Sequence, residues 1–488
     1  MAAIVSLSFR FKCTSEFNIH TAGVKGMPNP QIQSHDIFSS KLIGPRPPAS
    51  IPSFLLSHDI IETKKQILSV VCKSNSSELT NRTMKTLYKS TKLENVCYDI
   101  RGPVLDEAKR MEAAGKEILK LNIGNPAPFG FQAPDEIVRL ISENLPNAEG
   151  YIDSKGLLSA RHAIAAYSTR RGIRDVNPEN IFIGNGVSEL IVMAMQGFLD
   201  DGDEVLIPAP DYPLWTAAVV LAGGTPVHYV CDEQNDWQPD LSDIRKKITQ
   251  STKGIVIINP NNPTGAVYPK EVLLKIVELA KEHDLVIFSD EIYDRILYDD
   301  AEHVSIASLT NEVPCVTLNG LSKSHLITGY RVGWMVFSGY LAGASSYLEG
   351  VNMLASMRLC SNVPAQFAIE PALSDDAVIR KHTAGDGRLK RQRDLGYERL
   401  KNIRGLSCTK PKGAFYFFPR IDTEMYGIKD DERFTLDLLK KEGVLIVQGT
   451  GFNWFNPDHF RIVFLPDTSL LQRAFDAIEN FLQDYHQT

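Results

Sequence analysis

The sequence predicts an α/β protein: a large domain built on a mainly parallel sheet with helices on both faces, followed by a smaller α/β domain. Three observations carry that expectation. From about Leu93 onward, short β-branched runs alternate with helical patterns. The helical segments are amphipathic and long enough to cross over between parallel strands. Near Leu389 the alternation gives way to a helix, an aromatic run and further short α/β pieces. Alternating units of this kind imply a sheet covered on both sides, with ligands gathered at the carboxyl ends of its strands.

Composition supports a folded, globular chain. It has 488 residues, 43% apolar and 23% charged, with no apolar run long enough to cross a bilayer. At roughly 150 residues per domain, two or three domains are expected. The 52 basic and 59 acidic residues leave a net charge of −7, which gives no basic field for grasping nucleic acid. The cysteines (Cys13, Cys72, Cys97, Cys231, Cys315, Cys360 and Cys408) form no C-x-x-C pair and no metal-ligand spacing. Such a scattered, odd set reads as thiols in a reducing compartment and excludes a disulfide scaffold.

The first stretch differs from the rest. Residues 1–58 hold two acidic residues, Glu16 and Asp36, against five basic ones, with frequent serines and prolines. An acid-poor, Ser-rich, weakly basic leader reads as an organelle transit peptide. The plastid is expected ahead of the mitochondrion because arginines are sparse; an ordinary disordered tail on a cytoplasmic protein is the alternative. The expected division is a leader and linker over 1–90, an N-terminal segment over 91–135 packing with the small domain, a large domain over 136–388 and a small domain over 389–488.

Taken in order, the elements follow from periodicity. Apolar residues at helical spacing predict a helix over 104–114, then a strand over 118–123 running into Gly124-Asn125-Pro126. Short β-branched runs predict strands over 181–183, 204–207, 226–230, 254–258, 285–289, 315–318 and 333–337. Amphipathic stretches predict helices over 188–198 and 269–283. Phe415-Tyr416-Phe417-Phe418 reads as hairpin-like.

Four strand-end loops then stand out. Gly184-Asn185-Gly186-Val187-Ser188-Glu189 joins a strand to a helix, where backbone N–H groups and the helix N-terminus can cradle a phosphate. Glu189 occupies the place of a third glycine, which disfavours a dinucleotide. Asn259-Pro260-Asn261-Asn262-Pro263-Thr264-Gly265 is a stiff turn that would present the Asn262 amide to a ligand oxygen. Asp290-Glu291-Ile292-Tyr293 places a carboxylate at a buried strand end, where it needs a cationic partner such as a pyridinium nitrogen. Asn319-Gly320-Leu321-Ser322-Lys323 puts a lysine among small residues, where desolvation makes it nucleophilic and able to form a Schiff base. Each alone has an ordinary reading: a turn, a turn, an arginine salt bridge, a solvated lysine. Together they fit one cofactor, pyridoxal 5'-phosphate.

With Gly329-Tyr330-Arg331-Val332-Gly333 following, these motifs make the chain from Leu93 to Thr488 resemble the class I/II, fold-type I pyridoxal-phosphate aminotransferases. Residues 92–104, 121–131 and 211–217 bring it closer still to the bacterial glutamate–pyruvate (alanine) aminotransferases as a group. The resemblance implies that Lys323 holds the cofactor and moves the proton. It also implies that Asp290 keeps the pyridine nitrogen protonated and that Tyr293 and Asn262 bond the ring's phenolic oxygen. Gly186 and Val187 by backbone, and Ser322 and Arg331 by side chain, would bind the phosphate, with Tyr212 stacked on the ring. Arg461 would grip the substrate α-carboxylate, with Gly124 and Asn262 beside it. Tyr151 would reach the neighbouring subunit's phosphate, implying a homodimer. Tyr98 and Arg101 would fold over the site and help select the substrate.

The sequence departs from the family at Gly320 and Asn185, where many or some relatives carry Ser as a phosphate donor. The implied reaction moves the amino group of a small amino acid, alanine foremost, to a 2-oxo acid, 2-oxoglutarate foremost. Aromatic or branched-chain donors, and a lyase on the same cofactor, are the alternatives. No metal, nucleic acid or membrane partner is expected.

Overall fold

The computed structural model describes residues 87–94, 96, 102–374 and 376–488. The leader, apart from its last four residues, and both Tyr98 and Arg101 lie outside the described residues. After a helix over Pro103–Ala113, a short strand, β1 (Leu119–Lys120), follows. The expected strand over 118–123 is reduced to this pair, with Leu121 still bonded to its neighbours, because the chain beyond Leu121 turns into the site.

The apolar runs become one eight-stranded sheet. Its members are β2 (Ile181–Gly184), β3 (Glu204–Ala209), β4 (Thr225–Asp232), β5 (Gln238–Pro239), β6 (Thr252–Ile258), β7 (Val286–Asp290), β8 (Cys315–Gly320) and β9 (Gly333–Ser338). The order is β2-β9-β8-β7-β6-β3-β4-β5. Strands β4, β3, β6, β7 and β8 are parallel, while β9 runs antiparallel to both of its neighbours and β5 antiparallel to β4. The reversal of β9 places its start, not its end, at the carboxyl edge of the parallel strands. Arg331, just before β9, thereby joins the loops that follow β2, β3, β6, β7 and β8.

Burial on both faces explains why these strands are continuously apolar. Along β6, Ile255 and Ile257 pack with the helix Lys270–Glu282, while Val256 and Ile258 pack with Val187–Phe198 and Leu214–Leu221. On β2 and β9, Ile181, Ile183, Trp334 and Val336 face the helices Leu158–Arg170 and Ile369–Ser374. Fully burying one such side chain stabilises by about 1.5–3 kcal/mol, so the sheet centre anchors the fold.

Beyond the helix Arg388–Asn402 come β10 (Leu406–Ser407), β11 (Tyr416–Phe417), β12 (Arg420–Ile421), β13 (Val444–Leu445), β14 (Val447–Gln448) and β15 (Phe460–Val463). The aromatic run is not a hairpin: β11 pairs with β15, far along the chain, with Tyr416 opposite Val463. Phe415, Tyr416 and Phe417 fill a core with the helices Arg388–Asn402 and Thr468–Gln483, while Phe418 packs against Trp237 in the core of the large sheet. The N-terminal segment threads into this region. The Leu121 N–H donates to the Leu445 carbonyl at 2.8 Å and the Leu121 carbonyl accepts from the Val463 N–H at 2.9 Å. That threading delivers residues 122–125 to Arg461. No helix of the described residues is long and apolar enough to cross a membrane.

Candidate active site

A cavity of about 420 Å³ opens at the carboxyl edge of the sheet. Lys323, Asp290, Asn262, Tyr293, Tyr212, Val187, Ser322, Arg331, Gly124 and Arg461 all line it. They come from five strand-end loops, the N-terminal segment and β15, so only the tertiary fold brings them together.

Lys323 sits in the single turn Leu321–Ser324 that follows β8. Its Nζ donates to the Gly124 carbonyl at 2.8 Å. Burial, followed by the positive charges of Arg461 and Arg331, pushes its pKa down to about 7, with Asp290 opposing. At neutral pH a substantial fraction is therefore a free amine, the form that attacks a carbonyl.

Asp290 ends β7 and is buried. Burial pushes its pKa up to about 6, held back by hydrogen bonds from Trp215 and the Ile292 N–H and by Lys323. Trp215 Nε1 donates to Oδ2 at 3.2 Å and the Ile292 N–H to Oδ1 at 3.3 Å. These donors orient the carboxylate without neutralising it, which leaves it ready for a cation.

The asparagine–proline loop divides its labour. Asn259 Oδ1 accepts from the Tyr268 N–H at 2.9 Å, and Asn261 Oδ1 accepts from Thr264 Oγ1 at 2.8 Å. Those two amides hold the turn, and Asn262 alone of the three lines the cavity. Its Oδ1 accepts from Arg461 Nη1 at 3.0 Å, while Arg461 Nη2 donates to the Asn122 carbonyl. The guanidinium lies between two rings, 4.6 Å from the centre of Tyr416 and 4.5 Å from that of Phe452. This grip fixes a planar, bidentate donor at one end of the cavity.

At the other end, Gly186 (φ 83°) starts the helix Val187–Phe198. A side chain there would strike the guanidinium of Arg331, whose Cζ lies 2.9 Å from the Cβ position, so the missing side chain is what lets arginine and loop meet. Arg331 Nη2 donates to the Asn185 carbonyl at 3.0 Å and Nη1 to the Thr328 carbonyl at 2.8 Å. The helix N-terminus supplies backbone donors here, and the Arg331 side chain a cation, for an anion.

The two departures acquire physical reasons. A Cβ on Gly320 would lie 2.6 Å from the Val332 carbonyl oxygen and 3.0 Å from Gly333 Cα, so the β8–β9 approach leaves no room for a serine. The Asn185 side chain is engaged elsewhere: Nδ2 donates to Glu189 at 2.9 Å and Oδ1 accepts from the Asn362 N–H at 2.8 Å.

Tyr151 does not join the cavity. It is 80% exposed, on a loop whose Ser154 carbonyl accepts from Arg358, the residue between the exposed Met357 and Leu359. Arg358 ties that surface to the phosphate-end loop, donating to Glu189, to the Ser154 carbonyl and to the Ile183 carbonyl. Sequence reasoning missed Trp215 and Tyr416, the latter masked by an aromatic run that reads as core. It also missed the Thr328–Asn125 hydrogen bond of 2.9 Å that fastens the N-terminal segment across the cavity.

Residues 116–478 match the family described as aminotransferase class I and II. The chain is 60% identical over 404 residues to a glutamate-pyruvate aminotransferase, AlaA, of Escherichia coli strain K12, covering 83% of this chain and all of that protein. It is 55% identical over 400 residues to an alanine aminotransferase of Mycobacterium bovis, covering 82% and 93% of the two chains. A solved aminotransferase structure from Escherichia coli superposes with a TM-score of 0.82 at 59% identity, over 83% of this chain and all of the other. With a family match that spans most of its length and relatives of this identity, the chain belongs to the class I and II aminotransferases.

Proposed function

We propose that this aminotransferase uses pyridoxal 5'-phosphate to move the amino group of alanine to 2-oxoglutarate, in a ping-pong sequence. The observation that carries the reading is the convergence, in one cavity, of a lysine with a depressed pKa, a buried carboxylate and a bidentate arginine. The residues fit the cofactor. Gly186 leaves open the approach that a Cβ would fill, Arg331 and the Val187 N-terminus meet an anion, and Asp290 awaits a ring cation. When bound, the cofactor supplies the aldehyde that receives the amine and the electron sink that lets an α-proton leave.

The chain's own groups do the rest. Lys323, about half uncharged at neutral pH, would hold the cofactor through its amine and serve as the base that carries the α-proton. Asp290 would hold a proton on the ring nitrogen by charge. Tyr293 and Asn262 would bond the ring's phenolic oxygen, and Ser322 with Arg331 would hold the phosphate beside the Gly186 and Val187 backbone. Tyr212 would cover the ring. Arg461, with Gly124 beside it, orients the α-carboxylate of every substrate, so donor and acceptor bind in turn at one place. The names of the relatives support alanine and glutamate–pyruvate as the substrate pairs. Glutamate's second carboxylate needs a further cation, for which Arg101 is our proposal, with Tyr98 as a second residue that helps select the substrate.

A homodimer is part of the reading. The exposed Tyr151 stands on a loop tied through Arg358 to the phosphate-end loop, which suits a tyrosine contributed to a second subunit's phosphate. The acid-poor leader supports delivery to the plastid. The test is a panel of amino donors, including alanine, phenylalanine and valine, against pyruvate, 2-oxoglutarate and phenylpyruvate. Alanine with 2-oxoglutarate should give the highest kcat/KM; a preference for phenylalanine or valine would reassign the substrate.

A further inference from the structure

Tyr416 lies on β11, in the floor of the cavity, and touches the groups at both ends of the proposed chemistry. Its hydroxyl is 2.5 Å from that of Tyr293, a short contact in which one of the two must donate to the other. Its ring lies 4.6 Å from the guanidinium carbon of Arg461. Gly124 has no side chain where one would collide with the Tyr416 hydroxyl, and its carbonyl accepts from Lys323.

We propose that Tyr416 is a positioning residue: by donating its hydroxyl proton to the Tyr293 oxygen, it leaves the Tyr293 proton free to point at the ring's phenolic oxygen. A phenol that receives a hydrogen bond donates a stronger one, so the two act as a chain. The direction of donation follows from the surroundings. Burial raises the pKa of both phenols and Arg461 draws both back, but the guanidinium lies directly against the Tyr416 ring, 4.6 Å from its centre, so Tyr416 is the phenol it polarises most closely. The more acidic hydroxyl donates and the less acidic oxygen accepts. The other charged groups facing the pair are Lys323 and Asp290, with Arg331 further along the cavity. Because Arg461 polarises Tyr416, a carboxylate arriving on Arg461 weakens that polarisation, and Tyr416 reports the arrival to the cofactor end.

This rests on the cofactor reading above, and the experiment separates the two. The protein loaded with pyridoxal phosphate is titrated by visible absorption, which follows the proton on the lysine-bound cofactor. Donation to the phenolic oxygen favours the deprotonated form, so weakening it raises the midpoint. Tyr416→Phe keeps the ring and its packing, and should raise the midpoint by roughly half a unit, the size of a 10–30% change in a charge-assisted bond. Tyr293→Phe should raise it further, and the double variant should match Tyr293→Phe alone, because the effect passes through Tyr293. An unchanged midpoint in Tyr416→Phe, or the same increment in both backgrounds, would overturn the relay. Failure of the unsubstituted protein to develop a visible band would overturn the cofactor reading itself, and the relay with it.

Discussion

The Nζ of Lys323 and the carbonyl oxygen of Gly124 lie 2.8 Å apart, although their residues are 199 positions apart in sequence. The first comes from the end of β8, the second from the N-terminal segment that threads beside β15. Through that contact the reactive amine, the carboxylate grip and the substrate-facing segment share one geometry. A backbone carbonyl accepts a hydrogen bond but carries no charge, so it holds the amine in place without raising its pKa as a carboxylate would.

The lowered pKa has a kinetic consequence. The neutral fraction of Lys323 grows as pH rises toward about 7 and is nearly complete a unit or two above it. Capture of pyridoxal phosphate by the cofactor-free protein should therefore accelerate about tenfold per pH unit below that value and level off above it, as followed by stopped-flow absorption. A rate still climbing through pH ~9 would mean an ordinary lysine.

Arg461 is expected to serve both half-reactions. Removing a bidentate charge-assisted grip costs about 1.5–3 kcal/mol, so Arg461→Ala should raise KM for alanine and for 2-oxoglutarate alike by roughly 10- to 100-fold. Steady-state kinetics with each substrate varied in turn checks this. A rise for only one substrate would point to a second carboxylate grip.

Gly320→Ser tests the packing reason for a missing phosphate donor. The added Cβ meets the Val332 carbonyl at 2.6 Å, backbone against side chain with neither free to yield. The variant should lose about 1–3 kcal/mol of stability in urea unfolding and bind the cofactor no tighter. Tighter retention at undiminished stability would show that the strands can part.

His459 supplies a pH signature remote from the chemistry. It is buried with Nδ1 2.7 Å from Asp458 and Nε2 3.5 Å from Glu233. Burial lowers its pKa, but the two carboxylates outweigh this and the net shift is upward. A raised folded pKa stabilises fully below the unfolded value of about 6.5 and is lost as pH rises through the folded value. Against His459→Asn, the wild-type stability advantage should be roughly 2 kcal/mol near pH ~6 and shrink by pH ~9. Thermal melts at both values decide it, and an advantage that grows with pH would contradict the charged assignment.

Much of this architecture was legible in the sequence. The seven longer strands of the main sheet were readable because each is an apolar run bounded by turn residues, and all but β4 are buried along nearly their whole length. Lys323, Asp290 and Asn262 were readable because they sit at the ends of such runs, where the chain must turn. What escaped detection depends on distant partners. Gln238–Pro239 pairs only two residues at an edge. The reversal of β9 and the pairing of β11 with β15 leave no periodic trace. Tyr416 carries a functional hydroxyl on a ring that also serves the core, and an aromatic run discloses only the second role. Trp215 is similar: its indole N–H on Asp290 is visible only once β3 and β7 are set in one sheet.

The central claim is that Lys323, Asp290 and Arg461 run a transamination in two separable halves. It is tested most directly by mixing the loaded protein with alanine and no 2-oxo acid. The account predicts that about one pyruvate per site appears, as the aldehyde form of the cofactor is used up. The reaction then stops without ammonia until 2-oxoglutarate is added, and Lys323→Ala slows it by roughly 10⁴-fold or more. Continuous pyruvate formation with release of ammonia in the absence of an acceptor would contradict it.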